Sequence, residues 1–134
     1  MRATAAALST LVIFLLLDAI WISQIALPQF RAHLGDALVF RPAPALLFYA
    51  IYMVGVTVFV LLPALTEGWS TALWRGALLG LVAYATYDLT NQATLRDWSW
   101  SLALSDIAWG AFVTGVSASL GLTLGDTILR WFRS

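Results

Sequence analysis

Four stretches of this chain are each about 20 residues long and almost wholly apolar, which is the length a helix needs to cross a bilayer. They run across 5–27, 44–65, 76–95 and 102–124. Backbone N–H and C=O groups find no water inside a membrane, so segments this apolar and this long fit only as helices. The expected fold class is all-α: a polytopic membrane protein, a four-transmembrane-helix bundle, with residues 1–134 forming a single integral membrane domain. Composition supports this. Of 134 residues, 61% are hydrophobic and 10% charged, against about 25% charged in an ordinary soluble domain. So little charge would leave a soluble fold with a bare apolar surface.

The punctuation between the stretches is consistent with helices. Pro44 suits the first turn of the second helix, and Pro63 reads as a stop signal near its end. The longest connection, across 28–43, carries Arg31, His33, Asp36 and Arg41 and is too short for a soluble domain; His33 reads as an exposed polar residue. The first span is longer than the core of a signal peptide, is interrupted by Asp18 and has no A-x-A site after it, so it reads as a retained anchor. Trp69, Trp74, Trp98, Trp100 and Trp131 fall at span ends, where an indole suits headgroup depth. Four spans place both termini on the side of the middle loop, with Arg2, Arg75, Arg130 and Arg133; Arg31, Arg41 and Arg96 lie opposite. That excess points to cytoplasmic termini. The run 127–132 either continues the fourth helix or lies along the interface with its arginines at phosphates, and a solvated basic end is the plainer reading.

Absent residue types exclude many activities. Seven Arg balance seven acids, so there is no basic surface for nucleic acid. Without Lys there is no Schiff base, and without Cys no thiolate or disulfide. One His, outside the spans, cannot build a desaturase-type cluster or a pair of haem ligands. No P-loop, GxSxG or HExxH string occurs, and the tandem aspartates of membrane prenyl- or CDP-alcohol transferases are missing. No cofactor and no metal centre are expected, and the chain reads more as a non-enzyme than as an enzyme.

Three acids lie inside the spans: Asp18, Asp88 and Asp106. An isolated carboxylate at bilayer depth costs about 2.5–3.5 kcal/mol on insertion scales. Counted from the ends nearest the first and third loops, they lie roughly 8–14 Å deep at about 1.5 Å per residue. Alternating helix direction then puts all three in the same half of the membrane. Tyr84, Asp88 and Asn91 share one helical face, with Tyr87, Thr90 and Thr94 beside it, and Arg96 ends that helix as a partner for Asp88 if it turns inward. Trp21 and Trp109 follow Asp18 and Asp106 at i+3, and an indole N–H donates to a carboxylate or a ligand. The repeated D-x-x-W hints at an internal repeat. The candidate ligand- or ion-binding set is therefore Asp18, Asp88, Asn91, Asp106, Tyr84, Trp21, Trp109 and Arg96. Oxygen-rich donors of this kind suit a proton or a hard cation rather than zinc. The competing reading makes the acids helix-to-helix ties worth about 0.6–2 kcal/mol each. It makes the two Trp packing residues, and Tyr49, Tyr52, Tyr84 and Tyr87 core aromatics. Gly76/Gly80, Ala111/Gly115/Ser119 and Gly121/Gly125 form small-residue stripes for close helix approach, read here as packing within the chain.

The strings LDAIW (17–21), LLFYAIY (46–52), YATYDLTNQATLRDW (84–98) and SDIAWG (105–110) together carry a resemblance. The chain resembles the DUF2177 membrane proteins over nearly its whole length, most specifically in the YDLTN-x-ATL stretch. Asp18, Asp88, Asn91, Asp106, Trp109 and Gly110 match motif positions. The chain departs from the pattern at Ser99, where a Pro commonly stands, and at Phe30, in place of a loop Tyr. The resemblance implies four helices in a bacterial inner membrane and supplies no reaction. Three functions compete: an intramembrane acidic site that binds or transports a proton, cation or small polar ligand; a structural or accessory subunit of a larger membrane complex; and a lipid-modifying enzyme using Asp88 or Asp106 as acid/base, which needs a reactive atom within about 3 Å. The expected partners are membrane lipids and either further copies of the chain or a larger membrane complex.

Overall fold

The computed structural model describes residues 1–134, and nearly all of them are helical. Four long helices follow one another: α1 (Arg2–Ala37), α2 (Pro42–Glu67), α3 (Trp69–Thr94) and α4 (Trp100–Arg133). By length and composition α1, α2 and α4 are apolar enough to cross a membrane. The 26 residues of α3 reach about 39 Å at 1.5 Å per residue. This helix is less apolar because it carries Arg75, Asp88, Asn91 and Gln92. The fold is an all-α four-helix bundle.

Local chemistry explains the helix ends. Arg41 is extended (φ −121, ψ 111), as the residue before a proline prefers, and Pro42 opens α2. Gly68 separates α2 from α3 at φ +101, a conformation open to glycine and strained for other residues. Ser99 caps α4: its Oγ accepts from the Leu102 N–H at 3.1 Å.

Neither Pro28 nor Pro63 stops its helix. A proline has no N–H to donate and crowds the carbonyl four residues back. Each is accordingly preceded by a wider π turn, Ile22–Ala26 before Pro28 and Thr57–Leu61 before Pro63. The Phe59 carbonyl, which Pro63 cannot serve, accepts from Arg75 Nη1 of α3 at 3.2 Å. Because α1 runs on to Ala37, most of the expected first loop is helix. Phe30 and Leu34 on this extension pack over Trp98 and Leu102. That corrects one expectation. Trp98 is buried, at 5% exposure, whereas Trp69, Trp74, Trp100 and Trp131 are exposed as interfacial indoles would be.

The central helix is α4, which packs against both α1 and α3. Small residues set how closely. A Cβ on Gly76 would lie 2.8 Å from Gly115 Cα, and one on Gly80 would lie 2.7 Å from the Gly110 carbonyl carbon. On the other side, a Cβ on Gly121 would lie 2.7 Å from Thr10 Cα, and one on Gly125 would lie 2.8 Å from Ala6 N. The stripes thus seat α4 between α3 and α1, backbone against backbone. The second helix packs through larger side chains: Tyr52, Val56, Val60 and Leu61 join Phe14 and Val113 in the core.

Candidate functional site

The tight seats on α4 decide which polar side chains meet. Both pairings run antiparallel: Ala6 with Gly125 and Thr10 with Gly121 on one side, Gly76 with Gly115 and Gly80 with Gly110 on the other. Continued toward the loop end, the first register brings Asp18 and Trp21 of α1 to within about one turn of Trp109 and Asp106 of α4, and the second brings Asp88 of α3 to within about one turn of Asp106.

The two D-x-x-W motifs meet crosswise. Trp109 Nε1 donates to Asp18 Oδ1 at 3.2 Å, and Trp21 Nε1 donates to Asp106 Oδ1 at 3.3 Å. Between these bonds the two indoles stack, with centroids 4.7 Å apart and planes 3° from parallel. The motif recurrence therefore has a geometric meaning: equal spacing on antiparallel helices gives a local two-fold exchange. Each indole serves the opposite helix's aspartate, so the tryptophans do more than pack. Asp18 receives a second donor from α2, the Tyr49 hydroxyl, at 2.5 Å on Oδ2. Tyr49, read from sequence as a core aromatic, is a partner of the acid. Its place near the loop end of α2, at a depth like that of Asp18, was the available signal.

The third acid has no such support. Asp88 is 0% exposed, and neither of its carboxyl oxygens has a hydrogen-bond donor. The Asp106 carboxyl is its acidic neighbour, and no hydrogen bond joins the two. The acids therefore divide into a close pair, Asp88 with Asp106, and a separately satisfied Asp18; they form no single metal-holding group. Two more unsatisfied polar atoms belong to the same end of the chain's fold. Gln92 Oε1, one turn beyond Asp88 on α3, and Trp98 Nε1, in the α3–α4 connection, are buried without partners. Both were absent from the sequence-derived set, although Gln92 stands at i+4 from Asp88, a helical spacing that could have found it; Trp98 lies outside the helix and carried no such signal.

The remaining candidates take different places. Tyr84 packs its ring on Gly110, the residue after Trp109, where any side chain would collide with it. It also lies near Tyr52, at 6.4 Å between centroids, and the Tyr52 hydroxyl bonds Thr114 Oγ1 at 2.5 Å. Asn91 stands beside the Tyr87 hydroxyl one turn back, not against the acids. Arg96 is exposed and pairs with no acid; the ion pair in the structure is Arg2 with Asp126. The expectation that Arg96 turns inward to Asp88 is thus corrected: α3 ends at Thr94 and the chain leaves the helix in extended form at Leu95 (φ −105, ψ 128), carrying Arg96 outward. His33 is exposed as expected, with Nδ1 2.8 Å from the Gln29 carbonyl.

A family model described as "Predicted membrane protein (DUF2177)" matches residues 3–123, a stretch that contains every residue of this site. No curated protein matches the chain. No solved structure matches it.

Proposed function

The chain belongs to the DUF2177 family of predicted membrane proteins, and from that premise we propose that the Asp88–Asp106 pair is an intramembrane proton-binding site. The observation that carries this reading is the Asp88 carboxyl, fully buried with no donor on either oxygen and with a second carboxyl as its neighbour. Two adjacent carboxylates repel when both are ionised, and one proton between them turns that repulsion into a hydrogen bond. Asp106 is held for this by Trp21, and Asp18 is occupied by Tyr49 and Trp109. A hard cation such as calcium takes about 6–8 oxygen ligands, more than one carboxyl pair offers, so the proton is the better fit among the charged ligands. All four helices span the membrane in this reading, with the site in the half nearest the first and third loops and the termini on the cytoplasmic side of a bacterial inner membrane.

Infrared difference spectra of the lipid-reconstituted protein across a pH titration test the assignment. Wild type should show a carboxylic acid C=O band that disappears in both Asp88→Asn and Asp106→Asn, with helical content retained in each. A spectrum with no such band, or with a band that survives both substitutions, overturns the reading.

A further inference from the structure

The far end of the bundle, where the chain starts and α4 finishes, holds a different polar arrangement. Arg2 grips Asp126 with two bonds, Nε to Oδ1 at 2.8 Å and Nη2 to Oδ2 at 3.0 Å, and donates a third from Nη1 to the Leu65 carbonyl at 2.9 Å. Three helix ends are tied by one guanidinium, and the Asp126 charge is neutralised. Arg130 and Arg133 follow on the last two turns of α4, and neither makes an ion pair. Together Arg2, Asp126, Leu129, Arg130 and Arg133 line a groove of about 260 Å³. Three arginines against one aspartate leave that lining with two positive charges in excess.

A guanidinium fork matches the oxygens of a phosphate, and the C-terminal pole of a helix favours cations placed there. Depth identifies whose phosphate it is. Trp131 and Phe132 stand between the two unpaired arginines and are 72% and 75% exposed; Trp69, at the start of α3 on the same end, is 60% exposed. The amphipathic indoles of Trp69 and Trp131 in that position belong at the headgroup level of a bilayer. We propose that the groove of Arg2, Arg130 and Arg133 binds the phosphate of an anionic phospholipid. Net-neutral lipids carry their own ammonium, which offsets the attraction, so the excess charge of the groove selects a headgroup with net negative charge.

Native mass spectrometry of the full chain released from micelles doped with phosphatidylglycerol or phosphatidylcholine reads this directly. Wild type should retain phosphatidylglycerol about tenfold better than phosphatidylcholine, given the attraction of each arginine near an anionic surface. The double variant Arg130→Gln/Arg133→Gln should lose that preference while melting in detergent at the wild-type temperature, because neither side chain holds an ion pair. Arg133→Gln alone, at the last helical residue, gives an intermediate loss and serves if the double variant folds poorly. Equal retention of the two lipids by wild type, or unchanged preference in both variants, overturns the proposal. Displacement of phosphatidylglycerol by an equal concentration of inorganic phosphate overturns the lipid assignment and gives the groove to a free anion.

Discussion

Each end of the bundle places an aspartate of α4 beside another helix, and the two are handled in opposite ways. Asp126, at the terminal end, is held by both forks of Arg2 and remains partly open to water. Asp106, at the loop end, faces an indole N–H and a second carboxyl, and that carboxyl has no donor at all. The same side chain is thus fully satisfied where water could have served it, and poorly satisfied where no water reaches. Sequence spacing offered an ion pair at the loop end, since Arg96 follows Asp88 by eight residues, but the helix ends at Thr94 and the extended chain carries Arg96 outward. Buried polar groups left unpaired cost free energy and persist only where the surrounding packing over-determines them. Here the packing is the glycine seam between α3 and α4. The end that departs from polar satisfaction is where the proton site is proposed; at the satisfied end the Arg2–Asp126 pair is a clasp beside the proposed lipid groove.

The largest test of this contrast breaks the seam. In Gly80→Leu the new side chain meets the Gly110 carbonyl, a backbone group that cannot rotate aside. A loss of about 3 kcal/mol is expected, seen as a lower melting temperature in detergent and a weaker yield of folded protein. Wild-type stability in that variant would separate the acid pair from the seam held responsible for it. A smaller effect should come from Tyr49→Phe, which deletes one donor to Asp18 and changes no volume in the core. Loss of a hydrogen bond costs about 0.5–1.5 kcal/mol, and Asp18 keeps Trp109 as partner. The near-ultraviolet circular dichroism of the stacked Trp21–Trp109 pair should weaken with it, since Asp18 orients that indole.

The smallest effect is expected at the clasp. Arg2 beside Asp126 holds its carboxyl below the usual carboxylate range. A depressed folded-state value means that the pair stabilises above the pKa of the unfolded carboxyl and stops doing so as pH falls through the folded one. Asp126→Asn should therefore narrow the difference in melting temperature between neutral and acid pH, slightly, and added salt should erase what remains. A large, salt-insensitive drop at neutral pH would place Asp126 in a buried network instead and remove the contrast between the ends.

Much of the loop-end site can be read along each helix separately. Helical spacing alone puts Tyr84 and Asp88 on one face, and counting from the span ends alone puts the three acids at one depth. Asn91 shares that face by spacing yet sits against Tyr87, because a face is broad enough to serve two neighbours. Tyr49 lay at the matching depth, but a tyrosine in an apolar helix is most often core, and only its position against Asp18 distinguishes it.

The chain's own chemistry therefore determined the class of fold, the helix count, the small-residue stripes and the shared depth of the acids. All of these follow from the length of apolar runs, from a period of 3.6 residues and from the cost of a bare backbone in lipid. Tertiary structure decided who bonds to whom. Whether Trp21 serves its own Asp18 or the Asp106 of α4, whether Arg96 turns in, and whether Trp98 lies at the interface or beneath Phe30 depend on how far each helix is rotated and slid against its neighbour. Those degrees of freedom are fixed by contacts such as Gly80 on Gly110 and Gly121 on Thr10, between residues far apart in the chain. A local periodicity constrains the face a helix presents but carries no information about the register in which two faces meet.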